Sequence, residues 1–285
     1  MSMNAKNMSI VDNQKKEALI QIKGSKTYCV RIQSDKYDCI IVSACTVEDG
    51  AIILSDRGNN KLKHVDSSTF NITDYCDLPD TPWQVCSINK QQAAVCLPNQ
   101  LEVQLVSLIN RMKLTSKVIT DFKCYGLAYA DGNLYISDSN TSVYIYSVSG
   151  RKMKKFSKDQ SGQTLCYGIS SLAVSDDVSR IYVADCLIGL IVLDFNGKVV
   201  GRFNGSHLQG AYDSYLTGKG SLLVSGFFSN NVLQFGLNGE LIGEVVSFDP
   251  TYTKVYHWVI CCNSQMTKML IGHNEKDEIE VYDLT

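Results

Sequence analysis

Leu134-Tyr135-Ile136-Ser137-Asp138 is a short apolar run that ends on a small residue and then a polar one, and versions of it recur along the whole chain. Ile52-Ile53-Leu54-Ser55-Asp56 and Ala93-Ala94-Val95-Cys96-Leu97 precede it. Ile181-Tyr182-Val183-Ala184-Asp185, Leu222-Leu223-Val224-Ser225-Gly226 and Met269-Leu270-Ile271-Gly272-His273 follow it. The last residues of the six runs fall 41, 41, 47, 41 and 47 positions apart. A period of about 40–50 residues is that of a four-stranded propeller blade. Six copies in 285 residues predict an all-β chain, a six-bladed β-propeller.

The third copy shows the internal order. Residues 126–130 read as a first strand, Asp131-Gly132 as a turn, 134–137 as a second strand and 143–147 as a third. Ser149-Gly150 turns the chain again into a polar fourth strand at 152–156. Asp49-Gly50, Asn196-Gly197 and Asn238-Gly239 repeat the turn signal, because Asn and Gly accept the positive φ of tight hairpins. Inner strands buried on both faces read as continuous apolar runs, and charge on outer strands protects an exposed sheet edge. The last copy stops after its third strand, at 279–283, while extended sequence at 18–23 and 27–33 stands unclaimed before the first copy. Residues 27–33 are therefore expected to pair beside 279–283 and close the ring. Residues 1–16 are expected to form a flexible tail and 17–285 the propeller.

Composition narrows the function classes. Hydrophobic residues at 45% and charged residues at 20% suit a soluble chain with a large core. A formal net charge of −2 gives no global attraction to nucleic acid or anionic membrane. No apolar run reaches the roughly 18 residues of a membrane span, and the polar residues 1–16 lack the apolar stretch of a signal peptide. The 11 cysteines form no Cys-x-x-Cys pair, and most sit inside apolar runs. They read as small core residues in a reducing compartment, the cytoplasm. His64, His207, His257 and His273 lie at no metal-ligand spacing.

An aromatic residue stands just before the first strand of each copy: Tyr37, Trp83, Tyr125, Tyr167, Tyr212 and Tyr256. Propeller geometry puts these positions on one face, together with the loops between second and third strands. Six aromatics there form either inter-blade packing or a binding surface, since Tyr and Trp are common interface anchors. The neighbouring candidates are His257, Arg57 in the loop Arg57-Gly58-Asn59-Asn60-Lys61, and the pair Phe227-Phe228, of which one must point outward if the segment is extended. Arg151-Lys152-Met153-Lys154-Lys155 reads as a solvated edge strand, with phosphate contact as the alternative. Asp56, Asp138 and Asp185, at the ends of second strands, read as loop caps accepting backbone N–H bonds. There is no GxSxG, P-loop or zinc pattern, so no catalytic residue, metal or cofactor is assigned, and no small-molecule substrate is evident.

Tyr125-Gly126-Leu127-Ala128 through Asp131 to Asp138 and on to Val143-Tyr144-Ile145-Tyr146 resembles the NHL repeat. Tyr167-Gly168-Ile169 through Arg180 to Asp185 resembles it again, as does Asp49-Gly50 through Asp56 to Lys63. Cys76-Asp77 and Pro82-Trp83-Gln84-Val85-Cys86 are similar to the C-terminal propeller of tripartite-motif proteins, especially the molluscan set. The likeness covers about residues 27–285, with copies two, five and six departing from the motif. It implies a substrate- or RNA-recognition module of a RING-type ubiquitin ligase. RING and B-box cysteines and a long heptad run are not in this sequence, so the expectation is a detached recognition domain or a shortened family member. Its leading partner is a protein bound on the loop face. Single-stranded RNA is the alternative ligand, and a calcium-dependent lactonase-like hydrolase is the third reading.

Overall fold

The computed structural model describes residues 18–48, 50–218, 220–248, 259–273 and 276–285. Twenty-four strands form six four-stranded antiparallel sheets, each a meander, set around a common axis. The innermost strands are Ile41–Thr46, Val85–Asn89, Leu127–Ala130, Ile169–Val174, Ala211–Leu216 and Val259–Cys262, and each neighbours the next around the ring. The chain is thus the six-bladed β-propeller that its repeat predicts. No helix among the described residues is long and apolar enough to cross a membrane.

The pleat explains why the second strands are apolar throughout. Successive side chains point to opposite faces of a sheet, and in a propeller each face meets a different neighbouring blade. Ile52 and Leu54 pack against Leu270 of the last blade, whereas Ile53 between them packs against Val95 of the second. Tyr135 likewise faces the fourth blade, and Leu134 and Ile136 face the second. The core is therefore six apolar layers, each straddling one pair of adjacent blades. Fully burying one such Leu or Ile is worth about 1.5–3 kcal/mol. A one-residue slip in a second strand would exchange what it offers to its two neighbours.

An N-terminal strand closes the ring, with limits that differ from the expected 27–33. Ile22–Cys29 pairs antiparallel with Glu278–Leu284, and Tyr28 stands opposite Ile279, Lys26 opposite Val281 and Gly24 opposite Asp283. The pairing ends one bond further on, where Val30 N–H donates to the Asp277 carbonyl at 2.7 Å. The Asp35 carboxylate then accepts the Ile32 N–H at 2.8 Å and turns the chain, so residues 31–33 cannot continue as strand. The two extended stretches read from the sequence are thus one strand and the arm that precedes it.

That arm crosses from the last blade to the fifth. Gln21 and Thr285 exchange backbone hydrogen bonds at 3.3 and 3.0 Å. The buried Gln234 side chain then clasps the arm, accepting the Ile20 N–H at 2.8 Å and donating to the Ala18 carbonyl at 3.2 Å. A chain starting at Ala18 is expected to keep the melting temperature of the full protein. A chain starting at Asp35 loses the closing strand, exposes the Glu278–Leu284 edge and is expected to self-associate. Gln234→Ala should cost about 1–2 kcal/mol through the unpaired Ile20 N–H. Calorimetry and light scattering on the three variants check these outcomes.

Candidate functional site

Near the loop face the axis is crossed by a circuit of hydrogen bonds. Ser43, Gln84, Gly126, Ser171, Asp213 and Val259 occupy one position in successive inner strands, opposite Ser55, Cys96, Ser137, Ala184, Ser225 and Gly272. The side chain at this position accepts a backbone N–H from the next blade. Val85 N–H donates to Ser43 Oγ at 3.1 Å, Leu127 N–H to Gln84 Oε1 at 2.8 Å, Ser214 N–H to Ser171 Oγ at 3.2 Å, and Ile260 N–H to Asp213 Oδ2 at 2.9 Å. Gly126 has no side chain to offer. The longer Gln84 spans the gap, accepting the Leu172 N–H at 3.1 Å and donating to the Leu172 carbonyl at 3.1 Å. A Cβ on Gly126 would lie 2.5 Å from Ser137 Oγ and 3.0 Å from Leu172, so glycine keeps blades three and four close.

One residue earlier in register stand Val42, Trp83, Tyr125, Ser170 and Tyr212, with the sixth position outside the described residues. The uniform aromatic ring read from the sequence is corrected here. Bulges at 41–43 and 169–171 insert a residue into the first and fourth inner strands. Val42 and Ser170 are the inserted residues, Ile41 and Ile169 stand opposite Asp56 and Asp185, and Tyr37 and Tyr167 lie further out in the loops, 68% and 54% exposed. Tyr37 lines a separate polar depression with Lys36, Asn59 and Asp77. Tyr256 and His257 lie outside the described residues.

The remaining candidates form a connected array at the mouth. The Trp83 and Tyr125 rings meet edge to face with centroids 5.2 Å apart, and the exposed Arg57 guanidinium lies 5.2 Å above the Trp83 ring. Arg57 also reaches the field of Tyr212: burial pushes that phenol up, Asp213 adds to the shift, and the Arg57 charge opposes both. The Tyr212 ring is 6.4 Å from Phe227, which meets Phe228 edge to face at 4.6 Å. Phe227 is half-buried and Phe228 is 64% exposed, which is the outward partner that an adjacent pair requires. Gly210, at φ +67, has no Cβ where one would strike the Phe228 ring at 2.6 Å. Beside Phe228 a depression of about 430 Å³ opens between Leu187, itself 69% exposed, and residues 204–210.

Buried acids hold these loops, as the sequence suggested. Asp185 accepts N–H bonds from Tyr167, Gly168, Leu187 and Ile188 at 2.7–3.1 Å. Asp138 accepts those of Asn140, Thr141 and Ser142. Asp56 Oδ1 accepts the N–H of Ile40 and of Gly58, each at 3.0 Å, which fixes the backbone on both sides of Arg57.

The sequence reading missed a buried charge cluster beneath Arg57. Asp35, Cys39 and Asp56 are the one set of possible metal donors that converges among the described residues. Lys63 Nζ occupies its centre, 2.7 Å from Asp35 Oδ2, 2.7 Å from Asp56 Oδ2, 2.9 Å from the Val30 carbonyl and 3.2 Å from Cys39 Sγ. The cation of this cage is the protein's own ammonium. The only signal in the sequence was a lysine amid the inner-strand residues Leu62 and Val65. The basic strand Lys152–Phe156 is the exposed outer edge of blade three, away from the mouth. Lys152 lies 4.8 Å from the Tyr144 ring and 3.2 Å from the Asp121 carboxylate, and Lys155 lies 5.2 Å from Tyr144. Eight of the 11 cysteines are buried, all as thiols.

No family model matches the chain, and no curated protein matches it in sequence. Among solved structures, one described as "Streptogramin B lyase structure" superposes with a TM-score of 0.67 at 10% identity, over 92% of this chain and 98% of that one. At that identity the likeness shows the propeller fold and nothing of the chemistry.

Two expectations follow from the buried charges. Burial pushes the Asp213 carboxyl up to about 6, against its two backbone N–H bonds. The native state then holds this proton more tightly than the unfolded chain, so its contribution to stability falls as pH rises from about 4 to about 6, by about 3 kcal/mol in total. Asp213→Asn should remove that component, seen as the difference between the two proteins' urea midpoints across the window. Lys63→Met strands two buried carboxylates and should cost about 3–5 kcal/mol. Lys152→Ala, at an exposed pair, should cost less than about 1 kcal/mol in the same assay.

Proposed function

We propose that this propeller is a recognition module that binds protein partners on its loop face and is not itself an enzyme. The observation that carries this reading is the pair of aromatic groups on this face, Arg57 over Trp83 beside Tyr125, and Tyr212 with Phe227 and Phe228. Aromatic and arginine side chains dominate binding energy at protein interfaces, and here Arg57 sits on a loop held by the buried Asp56. A pre-set surface loses less entropy on binding. Against a catalytic role, the axial groups Gln84, Ser171 and Asp213 are engaged between blades, and each Asp213 oxygen accepts a backbone N–H. Buried thiols suit the cytoplasm. By its resemblance to the tripartite-motif propellers, the module would select substrates for a ubiquitin ligase whose catalytic parts lie elsewhere. Single-stranded RNA is the lesser reading: the strongest basic run lies on an outer strand, and its lysines already contact Tyr144, Asp121 and Phe195.

Affinity capture from lysate with the immobilised protein tests the face. Leu187→Asp and Phe228→Asp, each at an exposed side chain and each expected to melt within about 3 °C of the wild type, should lose the specific partners. Arg111→Ala, at an exposed turn on the opposite face, should retain them. Partners that survive both loop-face changes would place recognition elsewhere, and partners released by ribonuclease would favour RNA.

A further inference from the structure

Among the described residues Arg57 has no counter-charge. Its side chain makes no hydrogen bond and no ion pair among the described residues, whereas Arg31 is paired with Asp38 and Asp277, and Lys61 with Asp77. The flat guanidinium lies over the Trp83 ring, 5.2 Å from its centroid. Stacking of this kind fixes the plane of the group and leaves its edge N–H donors free. The backbone beneath is held, since Arg57 N–H donates to the Ile40 carbonyl at 2.8 Å and buried Asp56 accepts the N–H of Gly58 and of Ile40. A pre-oriented fork of donors with no acceptor of its own matches a carboxylate, which takes two parallel N–H bonds.

What surrounds the fork separates carboxylate from phosphate. Recognition of phosphate groups commonly uses clusters of arginines, and single-stranded nucleic acid needs a groove of cations that tracks the backbone. Here the Arg57 guanidinium lies over a single aromatic ring, that of Trp83. The same face also carries Phe227 and Phe228, whose rings meet edge to face, and the depression of about 430 Å³ beside Leu187.

We infer that the mouth of the loop face takes an acidic peptide, in which an Asp or Glu carboxylate pairs with Arg57 and a neighbouring apolar side chain enters the depression between Leu187 and Phe228. This rests on the reading of the loop face as a protein-binding surface and specifies the partner's chemistry. Apolar contact supplies affinity, and the ion pair supplies selection, because a neutral or basic residue leaves the guanidinium facing a non-acceptor.

The test is a bead-displayed library of random 12-residue peptides, selected on the purified full chain at physiological salt. The expected winners carry Asp or Glu within a few residues of a large apolar residue. Their affinity should fall about 10- to 100-fold in Arg57→Gln and further in Arg57→Glu. Phe228→Ala should weaken them while leaving the acidic preference intact. Both positions are exposed, and unchanged melting of the variants shows that the fold is preserved. Winners that Phe228→Ala weakens but that show no acidic preference, or that Arg57→Gln leaves unaffected, overturn the inference while the loop-face reading stands. Winners insensitive to both changes overturn both. A library that yields no winners overturns the inference. So does a uridine 12-mer that binds through Arg57 while acidic peptides do not.

Discussion

The hydrogen-bond circuit around the axis is the constraint on which the molecule depends. Each blade buries its faces against its neighbours, but apolar contact is non-directional and does not set how far one sheet slides along the next. The bonds from Val85 to Ser43, Leu127 and Leu172 to Gln84, Ser214 to Ser171, and Ile260 to Asp213 do set it. Inner-strand N–H groups that face the axis have no sheet partner on that side. Leaving one buried and unpaired costs about 1–3 kcal/mol, so each small polar side chain satisfies a donor and aligns two blades at once. Gln84 does this for two neighbours, which is what permits glycine at 126. The same bonds fill the axis, so the loop face presents a floor and not a channel.

The mouth is built on that floor, and its order comes from below. Strand ends projecting from six sheets would give six independent loops. Acids at 56, 138 and 185, the first and last of them buried, instead accept several N–H bonds each and hold their loops in one conformation. Arg57, Leu187 and Tyr167 are therefore exposed side chains on fixed backbone. Exposed apolar surface costs solubility and gains nothing for folding. Tyr167, Leu187 and Phe228 are exposed large apolar side chains on this face, and the proposed contact surface rests on them.

The fold was legible because its signal is periodic. Six apolar runs at nearly constant spacing define blades irrespective of what any single residue does, and the missing last strand could be counted. The finer positions were not legible where the backbone departs from regular pairing. A bulge adds a residue without changing composition, so Tyr37 and Tyr167 matched the pattern of Trp83 and Tyr125 while lying outside their register. Gln84, Gly126 and Asp213 could be placed by counting, whereas Ser43 and Ser171 could not. The closing strand was displaced by five residues at its start because Asp35, a single side chain, ends it. The Lys63 cage had almost no sequence signal, since its members come from positions 30, 35, 39, 56 and 63 and converge only after the ring has closed.

The place of that cage follows from the circuit. The axial relay has one break, at Val259, whose side chain can accept nothing from the first blade, although further along the seam the Thr46 hydroxyl donates to the Cys262 carbonyl. The seam is also where the chain's two ends must meet, so it bears the entropy of closing the longest loop in the molecule. Residues 30–39 run across it from the closing strand to the first blade. Lys63 ties the segment down through the Val30 carbonyl and Asp35, and Asp277 of the last blade accepts the Cys39 N–H at 3.0 Å and pairs with Arg31. Buried charges are costly relative to well-packed apolar side chains, but they tolerate few alternative geometries. A directional cluster at the seam therefore does there what Ser43, Gln84, Ser171 and Asp213 do elsewhere. Because Asp56 belongs to both the cage and the loop that carries Arg57, closing the ring and orienting the arginine at its mouth are one event.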